Sequence, residues 1–423
     1  MSEVTKRVQK ITEDQHYVPR FYMKQFSNVV NMGKKNEKAF ISFYQFKDHL
    51  VKSAIPTKSV ASEKFFYGKD GNVEKWLALK EAKWSQFIAQ INKNEHAITS
   101  DEIFALKEFA AYQMCRTKTM LDFTQGCFTK MLSGHISNNV HSISAEEIEL
   151  LTKERVEKEI TSERNLEIAE SFLTATEDLK VDILRNRTDT AFITSDAPVI
   201  IVNPLARNRG GLADIGAFVF FPISQYNMAV LYDEKLYGNI ATDIWLQESI
   251  NAFNKYQYIC AEERILAKNA TEFNILLNDS EIQSIREKFR NMVGAKVSHE
   301  KRGIFIAIAG RNPRYYFNIL NLKLPKQLKK IPKQFRNTCE RIYSDETRLG
   351  LLCRIYRDPD FIQDDDIKKA WKEEQYFTKY LLSFFDYYWD TPMSKRSISP
   401  ELMYKLKTVP VNEIKMNKKS NEL

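Results

Sequence analysis

The sequence predicts an α+β protein: a helix-rich N-terminal part with a small hairpin, then an antiparallel β meander, then a helical and aromatic C-terminal part. Short β-rich runs, apolar residues at helical spacing and two capping-box signatures support this class. The 423 residues allow two or three domains, each with its own core. We expect an α+β domain over residues 1–275, which carries the candidate site, and a basic, aromatic extension over residues 276–423.

The first elements are predicted to be an arm, a hairpin and a helix. Residues 40–46 are rich in β-forming aromatic side chains, and a return strand starts at Leu50. The Asp70-Gly71 pair then marks a turn, after which apolar residues recur at helical spacing. This pattern predicts a helix over residues 73–91.

Two capping boxes predict the helices that follow. Thr99 and Glu102 have the required spacing, so a helix is predicted to start at residue 99 and to run through residue 116 to about residue 131. Ser144 and Glu147 repeat the signature. They open a charged helix that is predicted to reach residue 169, with further helix to about residue 184.

The apolar pattern changes period after residue 190. Short β-rich runs between turn residues predict a meander with strands at residues 191–195, 199–202, 217–221 and 228–232. The next predicted elements are a helix at 242–254, a strand at 258–261, a helix at 280–292, strands at 304–308 and 315–320, and an aromatic helix at 366–389.

Composition limits the functional classes. The net charge of +8 is a modest excess, which slightly favours a polyanionic partner but is better explained by lysines that confer solubility. The five cysteines are scattered, as expected of reduced packing thiols. The N-terminus has no apolar core of a secretion signal, and no run approaches the roughly twenty apolar residues of a membrane span. We therefore expect a cytoplasmic protein without a membrane partner.

The segment Gln15 to Tyr22 combines titratable, cationic and aromatic groups. Pro19 fixes its own backbone and keeps the preceding residue extended, so His16 and Arg20 flank a stiff segment. The H-x-x-P spacing from His16 to Pro19 resembles the catalytic histidine motif of HNH nucleases, although Gln15 stands where those motifs carry aspartate or histidine. His16 is a candidate general base and Arg20 a candidate phosphate contact.

Two predicted helices carry charged residues on otherwise apolar faces. Gln113 and Arg116 share a face with large apolar residues on one helix, and Glu74 and Glu81 do so on the preceding helix. A buried guanidinium requires an anionic partner or a ligand, so Glu81 and Arg116 are predicted to meet. The pair is either a structural salt bridge between helices or part of a site that also includes Gln113.

Asp196 follows a predicted strand and precedes a proline, which suits either an aimed carboxylate or an Asx turn. With Glu74 and Glu81 it forms the predicted ligand set for a divalent metal. Oxygen ligands suit Mg²⁺ or Mn²⁺, so these ions are the predicted cofactors.

A lysine-rich segment lies in the C-terminal part. Its cations occur without a single acid between residues 323 and 336, which favours phosphate binding or, equally, a solvated linker. The candidate substrate-binding residues there are Lys326, Lys329, Lys330, Lys333 and Arg336. The same part is a candidate surface for a protein partner or for self-association.

Several of these motifs together resemble the bacterial family catalogued as domain of unknown function 4238, over about residues 11–265. The shared positions are the Gln15 to Tyr22 segment, Glu63 with Phe66-Tyr67, Glu74, Glu81, Gln113, Arg116-Thr117, residues 194–199, residues 221–224 and Asn251. The chain departs from the pattern at Met23, where leucine is common, and at Ala197, where asparagine is more frequent. The resemblance implies a bacterial intracellular protein, for which phage-defence or toxin roles are plausible.

The leading functional hypothesis from the sequence is a defence-type or toxin-type effector that cleaves DNA or RNA with a divalent metal. In this hypothesis His16, Arg20, Glu81 and Arg116 act in catalysis. The alternative is a non-catalytic sensor module that binds a nucleotide or nucleic acid through the same polar cluster.

Overall fold

The computed structural model describes residues 12–139, 142–204, 211–212, 216–300, 303–314 and 317. The predicted helix at 366–389, the basic segment at 323–336 and nearly all of the predicted strand at 315–320 lie outside these residues. Backbone contacts divide the chain into one unit of residues 1–169 and 179–340 and another of residues 170–178 and 341–423. The boundary expected after residue 275 stays a prediction.

The α+β class is confirmed. The described α-helices are α1 (Arg20–Lys24), α2 (Asn72–Lys93), α3 (Ser100–Cys115), α4 (Lys118–Asn139), α5 (Ala145–Glu159), α6 (Ser162–Ala175), α7 (Glu234–Tyr237), α8 (Gln247–Cys260), α9 (Asn274–Leu277) and α10 (Ser280–Met292). The described strands are β1 (Asp14–His16), β2 (Asn28–Val30), β3 (Lys38–Gln45), β4 (Leu50–Pro56), β5 (Ser62–Lys64), β6 (Lys180–Asn186), β7 (Thr194–Ser195), β8 (Ile200–Val202), β9 (Phe218–Pro222), β10 (Asn227–Tyr232), β11 (Asp243–Ile244), β12 (Arg264–Ala267), β13 (Gly294–Glu300) and β14 (Gly303–Ala309).

Two five-stranded sheets form the β structure of the larger unit. The first has the order β11-β6-β10-β9-β8, antiparallel except for the parallel pair of β11 and β6. The second has the order β2-β3-β12-β7, and β4 also pairs with β3. Two further antiparallel ladders join β1 to β5 and β13 to β14. All residues of β9 and β10 are buried, so these strands lie within the core.

An aromatic cluster joins the N-terminal segment to the helices. Trp84 of α2 stacks on Phe109 of α3 with ring centroids 5.0 Å apart. Phe109 contacts Phe221 of β9 at 5.0 Å, and Tyr22 of α1 stacks on Phe221 at 5.3 Å. Burial of each such ring stabilises the fold by about 1.5–3 kcal/mol. The cluster therefore fixes α1 against α2 and α3, where the candidate residues lie.

Several sequence predictions are confirmed. The hairpin appears as β3 and β4, the helix predicted over 73–91 as α2, and the helix predicted over 280–292 as α10. Both capping boxes form, with Glu102 and Glu147 bonded to Thr99 and Ser144 in both directions. The predicted meander appears as β8, β9 and β10, while β7 belongs to the other sheet.

Four predictions about elements are wrong. The charged helix predicted to reach residue 169 breaks after Glu159, and α6 begins at Ser162. The helix predicted to continue to residue 184 ends at Ala175, and β6 follows because its alternate residues bury against the sheet. Residues 258–261, which were predicted to form a strand, lie at the end of α8 and in its cap. The next strand is β12, which begins at Arg264. The helix predicted to run through residue 116 breaks at Arg116-Thr117, where α3 ends and α4 begins. None of the described helices has the length and apolar character needed to cross a bilayer.

Candidate functional site

Arg116 lies at the centre of a buried polar network. Its side chain is 2% exposed, and Nη1 donates to Oε1 of Glu81 at 2.7 Å. Nη2 donates to the backbone carbonyl of His16 at 2.8 Å, and Nε donates to the hydroxyl of Tyr67 at 3.0 Å. Burial disfavours the charge, but Tyr67 and Glu81 hold the pKa of Arg116 above its ordinary value. The predicted Glu81–Arg116 contact is therefore present.

Long-range hydrogen bonds fix the N-terminal motif onto this network. Gln113 of α3 donates to the carbonyl of Tyr17 at 3.1 Å. Gln15 accepts from the backbone N–H of Tyr67 at 2.6 Å and donates to the carbonyl of Gly68 at 3.0 Å. These bonds explain why the sequence carries amides at buried positions. Gln15 and Gln113 therefore support the backbone around His16.

The backbone that faces His16 is strained at two positions. His16 pairs with Ser62 of β5, and Ala61 and Phe65 on either side of β5 have φ values of 53° and 54°. Non-glycine residues seldom adopt this left-handed conformation, and such strain clusters at functional sites. The N–H groups of Tyr17 and Val18 donate to the carbonyl of Ala61, which holds the turn in place.

The ring of His16 is neutral near pH 7. Burial lowers its pKa, Arg20 and Arg116 lower it further, and backbone hydrogen bonding to Lys58 and Thr57 opposes these effects. Nε2 is buried and has no hydrogen-bond partner among the described residues. In the tautomer that carries its proton on Nδ1, a neutral imidazole offers Nε2 as an acceptor, which is what a general base requires.

Two charged side chains beside the network are available to a ligand. Arg20 is exposed and makes no hydrogen bond or ion pair within the described part of the chain. Glu74 is half-buried, and its carboxylate likewise has no hydrogen bond to a described residue. Burial raises the pKa of Glu74, Arg116 opposes the shift, and Glu81 adds to it. Glu74, Glu81 and Arg116 are therefore close enough to interact electrostatically.

Asp196 belongs to a different environment. Its buried carboxylate accepts the backbone N–H groups of Glu262, Glu263 and Arg264 at 2.9, 2.5 and 3.0 Å. Burial raises the pKa of Asp196 to about 6, although the three N–H groups oppose the shift. The carboxylate thus closes the turn between α8 and β12, which corresponds to the structural alternative considered for this residue.

The predicted metal-ligand set does not form a single cluster. Within the described residues there is no group of three histidine, cysteine, aspartate or glutamate side chains that is arranged to hold a metal ion. Glu74 and Glu81 share the Arg116 network, whereas the Asp196 oxygens are used by backbone N–H groups. Lys326, Lys329, Lys330, Lys333 and Arg336 lie outside the described residues, so their predicted role stays a prediction.

A small cavity of about 40 Å³ lies beside the break between α3 and α4. It is lined by Met114, Thr117, Thr119, Met120, Ala197, Val199, Ile201, Cys260, Arg311 and Asn312. Burial raises the pKa of Cys260 to about 12, so its thiol stays protonated. His16, Glu81, Arg116 and Asp196 are not among its lining residues, and the cavity is therefore separate from the Arg116 network.

Sequence reasoning did not assign a role to two members of the network. Tyr67 is buried, and its hydroxyl both accepts from Arg116 and lies 3.3 Å from the carbonyl of His16. Burial raises the pKa of Tyr67 to about 12. The other missed group is the carbonyl of His16. Tyr67 was indicated only by its place in the Phe66-Tyr67 motif. No pattern indicated the His16 carbonyl, because backbone acceptors leave none in the sequence.

Comparison with known proteins agrees with the motif resemblance. Residues 14–271 match the family described as Protein of unknown function (DUF4238). The chain therefore belongs to the DUF4238 family, and the matched region contains the whole Arg116 network. No curated protein and no solved structure matches the chain.

Proposed function

We propose that this protein is a cytoplasmic effector of the antiphage-defence or toxin type, which cleaves phosphodiester bonds in DNA or RNA. The observation that carries the proposal is the bare Nε2 of His16 beside Arg20 and Arg116. A neutral imidazole next to guanidinium groups can accept a proton from an attacking hydroxyl or water while the cations neutralise phosphate charge.

Each side chain has a distinct role in the proposal. His16 acts as the general base at Nε2. Arg20 is exposed and unpaired within the described residues, so it is free to contact the scissile phosphate. Arg116 holds the His16 carbonyl and Glu81, and it acts as a positioning residue because each of its three nitrogen atoms already donates within the protein.

Glu74 and Glu81 are the proposed metal contacts. Mg²⁺ commonly takes one or two protein carboxylates and completes its shell with water and substrate phosphate oxygens. Glu74 has no hydrogen bond within the described residues, and Glu81 is 25% exposed with Oε1 on Arg116. In the proposal the two carboxylates share a Mg²⁺ or Mn²⁺ ion with the substrate, without Asp196.

The second candidate is a sensor that binds a nucleotide or nucleic acid without cleaving it. The engagement of Arg116 within the protein favours this alternative, because each of its three nitrogen atoms already donates to Glu81, Tyr67 or the His16 carbonyl. In that case Arg20 binds an anion, and no bond is broken.

The test is cleavage of plasmid DNA and of RNA by the purified full chain, with Mg²⁺, with Mn²⁺ and with a chelator. We expect cleavage that needs metal, falls at least about a hundredfold in His16→Gln, and falls in Glu74→Gln and Arg20→Ala. The matched control is Arg155→Ala, which removes another exposed guanidinium from α5. Cleavage that is absent with every metal, or equal in folded His16→Gln, contradicts the proposal.

A thermal-shift screen with nucleotides separates the second candidate. Stabilisation by a nucleotide that is lost in Arg20→Ala, together with no turnover, favours the sensor. If no nucleotide stabilises the wild type or the variants, the sensor hypothesis is excluded.

A further inference from the structure

A groove of about 570 Å³ lies beside α10, away from the residues of the Arg116 network. Its lining residues are Ile285, Lys288, Asn291, Met292, Lys296 and Arg314. Among these described lining residues three are cations and none is acidic. The volume is within the range of about 300–1,000 Å³ that ligand sites occupy.

Three segments of the chain bring these cations together. Lys288 and Asn291 are three residues apart on α10, so they lie on neighbouring positions of one helical face. Gly294 has a φ of 110°, which lets the chain turn from α10 into β13 and places Lys296 at the groove. Arg314 arrives from the segment that follows β14.

The groove cations are unpaired within the described residues, unlike their neighbours. Arg290 of α10 and Arg311 bind the carboxylate of Glu262 at 2.5 and 2.9 Å. Lys288, Lys296 and Arg314 have no such carboxylate partner in the part of the chain that the structure describes. Three like charges around one concave surface repel one another, and a polyanionic ligand relieves this repulsion.

The geometry points to a single strand of nucleic acid as the ligand of this groove. Its phosphates would contact Lys288, Lys296 and Arg314, and its bases would lie on the apolar side chains of Ile285 and Met292. Asn291 adds an amide that can donate to phosphate or sugar oxygens. The choice of ligand rests on the proposed function, in which the protein cleaves a nucleic-acid strand at His16.

The sequence provides an independent reason for this choice. The lysine-rich segment of residues 323–336 follows Arg314 by nine residues and contains six cations and no acid. Proteins that bind single strands use positive charge that follows the backbone over several phosphates. The cations of residues 288–314 are followed in the sequence by this second run of positive charge.

The test measures binding of a short labelled single-stranded oligonucleotide to the full chain at several salt concentrations. The groove variant combines Lys288→Gln, Lys296→Gln and Arg314→Gln. The control variant combines Lys34→Gln, Lys35→Gln and Lys47→Gln, which removes the same charge from exposed lysines elsewhere. All proteins carry His16→Gln, so cleavage does not consume the probe.

We expect the groove variant to bind at least about tenfold more weakly and its salt slope to fall by about 2, since each phosphate contact on a single strand contributes about 0.7. The control variant keeps most of the affinity. Equal affinity of the groove variant and the His16→Gln parent, or equal losses in the groove and control variants, overturns the inference. Binding of anionic vesicles or acidic peptides in place of the oligonucleotide also overturns it. If the oligonucleotide binds through the groove but the chain with His16 intact does not cleave nucleic acid, only the proposed function is refuted.

Discussion

Nη1 of Arg116 lies 2.7 Å from Oε1 of Glu81, and the two side chains differ greatly in exposure, at 2% and 25%. The carboxylate can therefore recover water if the pair is broken, whereas the guanidinium cannot. This asymmetry makes the loss of Glu81 the more revealing change, because it leaves a buried charge with neutral partners only.

Glu81→Gln is expected to destabilise the protein by about 3–5 kcal/mol, the usual cost of breaking a buried ion pair. The double variant Arg116→Met with Glu81→Leu is expected to be more stable than Glu81→Gln, because it leaves no buried charge. The carbonyl of His16 keeps the Tyr67 hydroxyl as a donor in that double variant. Urea unfolding of the three proteins gives the comparison. A double variant that is less stable than Glu81→Gln would show that the pair contributes more than mutual neutralisation.

The His16 ring predicts a pH dependence of stability. Its folded-state pKa is below the ordinary value of 6.5, mainly because of burial. The unfolded chain therefore binds more protons below about pH 6.5, and stability falls as the pH decreases through this window. His16→Gln is expected to lose this component. Both proteins keep Asp196, so the difference between their unfolding free energies from pH 8 to about pH 5 isolates the histidine. Parallel curves would refute the prediction.

Asp196 is expected to act through the fold. Asp196→Ala leaves three backbone N–H groups without acceptors and is expected to cost about 3 kcal/mol or more, at about 1–3 kcal/mol for each unsatisfied group. Asp196→Asn keeps one acceptor oxygen and is expected to cost about half as much. Chemical denaturation measures both. Wild-type stability of Asp196→Asn with complete loss of cleavage would instead restore Asp196 to the metal site.

Two glycines of α4 provide an internal comparison of packing. A Cβ at Gly134 would lie 2.9 Å from Cγ1 of Val297, whereas nothing lies within 4 Å of a Cβ at Gly126. Alanine gains about 0.5–1 kcal/mol over glycine in a helix, and overpacking costs about 1–3 kcal/mol. Gly126→Ala is therefore expected to raise the melting temperature and Gly134→Ala to lower it. Equal shifts in both would show that β13 does not pack closely on α4.

Much of the helical structure and the central ion pair could be predicted from the sequence. The capping boxes and the polar residues on apolar faces are local signals, and they located Glu81, Gln113 and Arg116. The ion pair followed from the physical need of a buried guanidinium for an anion. The remaining bonds of Arg116, to Tyr67 and to the His16 carbonyl, join positions 49 and 100 residues apart, which local patterns do not record.

The errors in the fold have a common physical cause. Residues 258–261 have β-forming side chains but lie at the end of α8 and in its cap, where Arg286 donates to the carbonyls of Tyr258 and Ile259 at 3.1 and 3.2 Å. β6 follows charged helices closely, and its pairing with β10 determines its conformation. In both cases a tertiary contact overrides local propensity. The structural role of Asp196 also depends on a partner segment that is distant in sequence.

The pH dependence of nucleic-acid cleavage by the wild-type chain tests the central claim, that His16 Nε2 is the general base, most directly. The rate is expected to rise with pH and to level off above an apparent pKa below 6.5, because burial keeps the folded-state pKa of His16 low. His16→Gln is expected to remove both the activity and this limb. A rate that is independent of pH between about 5 and 7, or an unchanged profile in His16→Gln, would contradict the claim.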